Sequence, residues 1–130
     1  MNPSKELKRA INGKTSIKLI SEVSQKELNE LIMNAQINIL PTFQETGIKL
    51  KLINALFLGR FCIVNTKMIR NTNLESLCLI SDNPEQTKKL VLDYYKKEFN
   101  SEEFKSRAET LETLFDNTKN IDLLLEKYYS

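Results

Sequence analysis

The 130-residue chain contains no histidine, and this absence excludes several kinds of active site. Ser-His-Asp and Cys-His machinery needs an imidazole to move a proton, and histidine-ligated zinc sites need one as a ligand. With three glycines in all, the chain also lacks a phosphate loop of the Gly-x-Gly-x-x-Gly or Walker type. Any chemistry here therefore depends on carboxylates and lysines, or on residues that another domain supplies.

Cysteine is scarce as well, and the two that occur, Cys62 and Cys78, both lie in apolar, strand-like segments. Their separation along the chain matches neither a metal-ligand spacing nor a redox motif such as Cys-x-x-Cys. We therefore predict two buried, reduced thiols without a catalytic or disulfide role, as expected for a cytosolic protein.

Long hydrophobic runs and charge of predominantly one sign are absent too. No apolar stretch approaches the ~20 residues that cross a bilayer, and the first residues lack the apolar core of a signal peptide. The net charge is +2 with acids and lysines interspersed, which argues against a nucleic acid as partner. The composition, 41% hydrophobic and 28% charged, is typical of a soluble globular domain, and we expect a cytoplasmic location.

The chain is organised around residues 38–65, which have the pattern of a βαβ unit. A short apolar strand at 36–40 is stopped by Pro41, and a polar loop follows it. Residues 48–58 are apolar and of helical length, with Gly59 placed as the C′ residue that ends the helix. A second buried strand is predicted at 61–64. A unit of this size implies two parallel strands joined by a right-handed crossover.

Local signals predict further elements on both sides of this unit. Ser24 and Glu27 form a capping box, which predicts a helix from there to about Asn34. Similar patterns at Asp82 and at Asn100 predict helices in the last third of the chain. The remaining predictions are a helix end at 3–12, strands at 15–21 and 77–80, a loop at 66–74 and a helical tail over 83–130.

Together these elements predict one α/β domain over residues 1–130. We expect a Rossmann-like, three-layer α/β/α fold with a short, mostly parallel sheet of about four strands and a helical C-terminal tail. A phospho-receiver domain is a less suitable α/β class, because it needs an aspartate at the end of a central strand. Asp82 instead follows the last predicted strand, where it caps a helix.

One narrow polar stripe runs along the otherwise apolar helix predicted at 48–58. At about 100° per residue, Gly47, Lys51 and Asn54 fall on the same side. The amino end of this helix follows a strand, where open α/β sheets bind ligands, and its free N–H groups attract anions. The stripe thus indicates a phosphate site. It is equally compatible with Lys49 and Lys51 extending to solvent while Asn54 makes a local hydrogen bond.

Residues 46–60, Thr-Gly-Ile-Lys-Leu-Lys-Leu-Ile-Asn-Ala-Leu-Phe-Leu-Gly-Arg, resemble the donor-site segment of GT-B glycosyltransferases, especially retaining family 4. Those chains carry Gly-x-(Arg/Lys)-x-Lys-x-(Leu/Ile)-Glu-Ala-(Leu/Met)-x-x-Gly-(Arg/Lys). The flanks agree: 23–28 resembles the family's preceding helix, and Ile39-Leu40-Pro41-Thr42 resembles its strand ending in Pro-Ser or Pro-Thr. Near the C-terminus, the family's tail helices carry a pattern that Arg107, Leu111, Phe115 and Asn117 match.

The resemblance implies a role for each residue of the segment. Gly47 and the amides after it would meet the diphosphate of a UDP- or GDP-linked sugar, with Lys51 beside those phosphates. The family's ribose-binding glutamate is replaced by Asn54, which can accept one hydroxyl but lacks the charge. Glu45 falls near the loop carboxylate that faces the sugar, one residue out of the usual spacing, so a solvated loop carboxylate is an equal alternative. The implied site is Glu45 as catalytic residue, with donor binding by Thr46, Gly47, Ile48, Lys49, Lys51 and Asn54.

The resemblance also implies what this chain would need from elsewhere. A GT-B enzyme transfers a sugar from the nucleotide to a hydroxyl of a growing glycan or lipid, without a metal or other cofactor, between two Rossmann-like domains. This chain corresponds to most of the C-terminal, donor-binding half, so we expect it to be inactive without an N-terminal acceptor domain. The full enzyme would associate peripherally with a membrane. Family strands that would lie between 17–21 and 37–41 are missing, and an unpaired sheet edge of that kind invites homodimerisation.

A second interpretation needs no catalysis. The same α/β pattern suits a binding or scaffold module whose partner chain covers the open side of the sheet. A stable complex or homodimer that ignores nucleotides would favour the module over the glycosyltransferase half.

Overall fold

The computed structural model describes residues 3–43 and 50–114, and these form a mixed α/β fold. The described residues contain six α-helices and three short strands. In chain order the elements are α1 (Lys5–Ile11), α2 (Gln25–Asn34), β1 (Ile37–Leu40), α3 (Leu50–Leu58), β2 (Phe61–Val64), α4 (Thr66–Ile69), β3 (Leu79–Ile80), α5 (Pro84–Tyr94) and α6 (Ser101–Leu114).

The three strands form one parallel sheet in the order β1-β2-β3. Ile37 lies opposite Phe61 at the start of the β1–β2 pair, and Ile63 lies opposite Leu79 in the β2–β3 pair. Two parallel strands with α3 between them confirm the βαβ unit. The described sheet has three strands, not the four that we expected.

The hydrophobic core lies between α3 and one face of the sheet. Cys62 and Val64 point toward α3, whereas Phe61 points to the opposite face and packs against Tyr94 of α5, with ring centroids 5.0 Å apart. Leu52 is fully buried, and burial of such a side chain contributes about 1.5–3 kcal/mol. The buried core residues are Leu52, Ile53, Ala55, Leu56, Cys62, Val64, Met68, Ile69, Leu74 and Leu111.

One of the two predicted capping boxes is present as expected: Ser24 and Glu27 bond reciprocally at the start of α2. The other is displaced by one residue, because Asn83, not Asp82, caps α5 by accepting the N–H of Gln86 with its Oδ1. The helix start predicted at Asn100 is also present, where Asn100 and Glu103 bond reciprocally before α6. The Asp82 carboxylate is engaged elsewhere, with Thr66.

The predicted strand at 15–21 is wrong. This stretch contains a turn at Thr15 and Ser16 and then runs without a ladder partner among the described residues. Ile17, Leu19 and Ile20 are all exposed. A strand needs a neighbour for its N–H and C=O groups, and alternating apolar residues alone do not supply one.

The loop predicted at 66–74 and the strand predicted at 77–80 also need correction. Asn65 caps the short helix α4 by accepting the N–H of Met68, and Met68, Ile69 and Leu74 are buried. A 3-10 turn at Glu75–Leu77 then shortens β3 to two residues. The many polar residues between 66 and 74 predicted a loop, although Met68, Ile69 and Leu74 among them are buried in the core.

Gly59 follows α3, but it does not take the left-handed conformation of a C′ glycine. A Cβ atom there would lie 2.5 Å from the Asn38 side-chain nitrogen and 2.8 Å from the Ala55 carbonyl oxygen. Gly59 is therefore required for close packing between α3 and β1. Gly13, with a φ of 77°, is the glycine that ends a helix in the left-handed conformation.

Candidate functional site at the carboxyl edge of the sheet

Polar side chains tie together the loops that leave the carboxyl ends of β1 and β2. Asn65 follows β2, and its Nδ2 donates to the Thr42 carbonyl oxygen at 2.7 Å. Its Oδ1 accepts the N–H of Thr42 at 3.1 Å and also caps α4. One amide side chain thus fixes the backbone after β1 against the backbone after β2. The two hydrogen bonds therefore fix the position of the chain after β1 relative to the chain after β2.

Asp82 continues this network from β2 to β3. Its carboxylate accepts the Thr66 hydroxyl at 2.6 Å and the Thr66 N–H at 2.8 Å. These two hydrogen bonds, the hydroxyl one foremost, hold the pKa of the Asp82 carboxyl below its usual range. Asp82 is exposed and therefore remains ionised close to this edge.

A cleft of about 510 Å³ opens at the same edge, on the face of the sheet that carries α5. Ile39, Ile63 and Phe43 give it apolar walls, and Phe43 is 87% exposed. Asn65 and Asp82 supply polar groups at the strand ends, and Lys88 lies on the rim. Clefts with mainly apolar walls and a few fixed polar groups are typical of small-molecule sites, as is this position in an α/β sheet.

The predicted donor site lies partly outside the described residues. Glu45, Thr46, Gly47, Ile48 and Lys49 all fall in the segment between 43 and 50. Lys51 is in the first turn of α3, at the carboxyl edge, and its side chain is exposed. The described part of the site therefore consists of Lys51 and Asn54.

Asn54 is buried, with 7% of its surface exposed. Its Nδ2 donates to Oδ1 of Asn29 on α2 at 3.3 Å, and Asn29 in turn accepts from Gln25. The amide thus connects α3 to α2. The hydrogen bond at Asn54 is therefore one between two helices, not the local one that the sequence alternative expected, and the Lys51 side chain is exposed. A ligand that uses the Asn54 amide nitrogen would have to displace Asn29.

Arg107 of α6 binds the carboxyl end of α3. Its guanidinium donates to the carbonyl oxygens of Leu56 and Gly59, each at 2.9 Å, and to that of Arg60. It also stacks over the Phe99 ring, 4.4 Å from the centroid. Arg107 and Leu111 are both buried, so this half of the tail pattern packs against the sheet domain itself. Phe115 and Asn117 lie outside the described residues.

A second cleft, of about 560 Å³, lies at the amino ends of β2 and β3, beside Arg107. Cys62 and Cys78 both line it, from neighbouring positions on β2 and just before β3. Sequence reasoning missed this pairing because the spacing of the two cysteines has no motif. The strand register, which no local pattern reveals, brings them together.

The described residues contain no group of three or more metal-ligating side chains, and none of the helices they form is long and apolar enough to span a membrane. Comparison of the chain with protein-family models, with curated proteins and with solved structures finds no match.

Proposed function

We propose that this chain is the nucleotide-sugar-binding half of a glycosyltransferase with a Rossmann-like, three-layer domain, acting in the cytoplasm. The observation that carries the proposal is the parallel β1-α3-β2 unit, whose helix begins at the carboxyl edge of the sheet. An anion gains most from free N–H groups and the helix dipole at such a position. The resemblance of residues 46–60 to a diphosphate-binding segment falls on this same unit.

The proposal assigns the donor diphosphate to the amino end of α3. The backbone amides of residues 47–49 would bind its oxygens, and the exposed Lys51 would add a positive charge from the first turn. Glu45, which precedes the helix in the sequence, would face the transferred sugar. The cleft beside Asn65 and Asp82 opens at the same edge but on the other face of the sheet, so the rest of the donor would cross the strand ends to reach it.

Asn54 fits the proposal less directly than Lys51. Its amide nitrogen is bonded to Asn29, so a ribose hydroxyl would have to use the remaining capacity of the carboxamide or replace Asn29. We therefore expect weaker nucleotide binding than a glutamate at this position would give. Transfer itself would need the acceptor domain, so the chain alone would bind donor without turnover.

Calorimetric titration of UDP and GDP into the full chain tests this proposal. We expect saturable binding by at least one nucleotide and a several-fold weaker affinity in Lys51→Gln, which removes the charge at the helix start. Lys105→Gln, an exposed lysine of α6, is the matched control and should bind as the wild type does. Equal affinity in both variants, or no binding at millimolar nucleotide, would contradict the assignment.

A binding or scaffold module is the second candidate, and one observation favours it. Ile39 on β1 and Phe43 just after it are 48% and 87% exposed, next to an edge of β1 that has no strand partner among the described residues. A partner chain would cover that surface. Mass in solution separates the candidates, because a stable homodimer or complex that does not respond to UDP or GDP supports the module.

A further inference from the structure

The register of the sheet places the two cysteines side by side. Ile63 on β2 lies opposite Leu79 on β3. Cys62 and Cys78 come one residue before them in the sequence, so they occupy the preceding pair of positions. Cys78 has extended backbone angles, φ −123° and ψ 155°, so it continues the line of β3. Neighbouring strands run about 4.8 Å apart. That distance falls within the roughly 4.4–6.8 Å between Cα atoms that a disulfide spans.

The thiols also point the same way and have unequal access to solvent. Residues at equal positions on neighbouring parallel strands project from the same face, so the Cys62 and Cys78 side chains lie on one face of the sheet. Cys62 is 1% exposed, whereas Cys78 is half-buried, and both line the cleft at the amino edge. A small oxidant can therefore reach Cys78 first, with Cys62 immediately behind it.

We propose that Cys62 and Cys78 form a dithiol that a hydroperoxide converts into an intrachain disulfide. In the first step the Cys78 thiolate attacks the terminal oxygen of the hydroperoxide, the O–O bond breaks, Cys78 becomes a sulfenic acid, and the alkoxide leaves (hydroxide when the oxidant is hydrogen peroxide). In the second step the Cys62 sulfur attacks the Cys78 sulfur, the S–O bond breaks and water leaves with the Cys62 proton. The two thiols lose two electrons in total, and the peroxide gains them.

The surroundings favour this order of attack. Interaction with the Cys62 thiol lowers the pKa of the Cys78 thiol; burial opposes this shift and the charge of Arg107 supports it, and a lower pKa increases the thiolate fraction. Interaction with Cys78, and then burial, raise the pKa of Cys62, which stays protonated until Cys78 is oxidised. Cys78 is thus the attacking thiol, and Cys62 is the resolving one.

Peroxide treatment of the full chain, followed by peptide mapping without reductant, tests the proposal. We expect both free thiols to disappear together, the chain to become lighter by two hydrogen atoms, and one peptide pair to join Cys62 to Cys78. Dithiothreitol should restore both thiols. The proposal is overturned if the thiols of the folded chain stay reduced while added glutathione is oxidised, or if disulfides form between chains only.

Two variants test the order of attack. In Cys62→Ala, Cys78 should be trapped by dimedone as a sulfenic acid, because the resolving thiol is gone. In Cys78→Ala, Cys62 should remain a free thiol under the same treatment. Circular dichroism checks that each variant is folded. If either variant does not fold, the peptide map of the wild type still tests the proposal. Dimedone labelling of Cys62 in folded Cys78→Ala would contradict the assigned roles.

Discussion

Arg107 joins the last described helix to the end of the central one with a single buried side chain. Its guanidinium satisfies carbonyl oxygens of Leu56, Gly59 and Arg60, two of which lie beyond the last turn of α3. The last carbonyls of a helix have no partner within the helix itself, and a planar group with five N–H donors can reach several of them at once. A cation at this end also interacts favourably with the helix dipole.

We predict that Arg107→Met lowers the free energy of unfolding by about 3 kcal/mol, because several charge-assisted hydrogen bonds to buried carbonyls are lost. Chemical denaturation followed by circular dichroism measures it. Arg9→Met, an exposed arginine on α1, should change stability by less than about 0.5 kcal/mol. Equal effects of the two substitutions would show that the Arg107 contacts contribute little.

Asp82 and Thr66 provide a pH-dependent contact at the candidate site. Because the folded-state pKa of Asp82 is depressed, its contribution to stability is present above the unfolded pKa of about 3.9 and is lost as pH falls through the folded value. We predict that Thr66→Val raises the pKa of Asp82, as measured by carboxyl carbon NMR. The loss in free energy of unfolding caused by Thr66→Val should be larger at neutral pH than in acid.

Thr113→Val is the matched control for this pair. The Thr113 hydroxyl donates to the backbone carbonyl of Glu109 on an exposed face of α6, with no carboxylate involved. Its effect on stability should not vary with pH. An unchanged Asp82 pKa in Thr66→Val would refute the role given to the hydroxyl.

At the scale of elements, α6 and α1 differ in how they are attached to the rest of the chain, although each begins with a side-chain cap. Asn100 caps α6 with the reciprocal bond to Glu103, and Ser4 caps α1 by accepting the N–H of Leu7. α6 contributes buried Arg107 and Leu111 to the fold, whereas α1 has no buried residue. The same kind of cap should therefore have different consequences.

We predict that Asn100→Ala lowers the free energy of unfolding by about 1 kcal/mol, the usual cost of losing an N-cap. Ser4→Ala should leave the global transition unchanged, since α1 can fray without exposing core. Urea denaturation of both variants checks this. If Ser4→Ala lowered the free energy of unfolding as much as Asn100→Ala, the folding of α1 would be coupled to that of the core, and the prediction would be wrong.

The elements that sequence predicted correctly are those with a local physical cause. Capping boxes fix the starts of α2 and α6, and a run of apolar residues bounded by Pro41 or Gly59 fixes β1, α3 and β2. The strand predicted at 15–21 is wrong because strand pairing depends on residues that are distant in the sequence. The site was only partly predictable for the same reason: Asn65 and Asp82 act through contacts between loops, and the Asn54–Asn29 bond depends on the packing of two helices.

At the scale of the whole molecule, the described part of the sheet has one edge without a strand partner. β1 pairs only with β2 among the described residues, and apolar side chains on β1 and after it are exposed. Unpaired strand edges with exposed apolar groups are templates for association. Under either proposed function, this side of the molecule is where another chain or domain would bind.

We predict that the chain self-associates as its concentration rises, and that Ile39→Lys shifts the equilibrium toward monomer. A charge at this position costs desolvation in any interface that covers it. Sedimentation equilibrium measures the association. Leu7→Lys on α1 is the control, because Leu7 is 45% exposed and Ile39 48%, and it should associate as the wild type does. A wild type that is monomeric at all concentrations would refute the prediction.

The central claim is that a nucleotide diphosphate binds at the amino end of α3. Titration of UDP and GDP into isotopically labelled chain, followed through backbone amide NMR shifts, tests it most directly. We predict saturable shifts concentrated in residues 45–54, reduced in Lys51→Gln and unchanged in Lys105→Gln. Absence of shifts in residues 45–54 at millimolar nucleotide, or shifts located elsewhere on the chain, would contradict the claim.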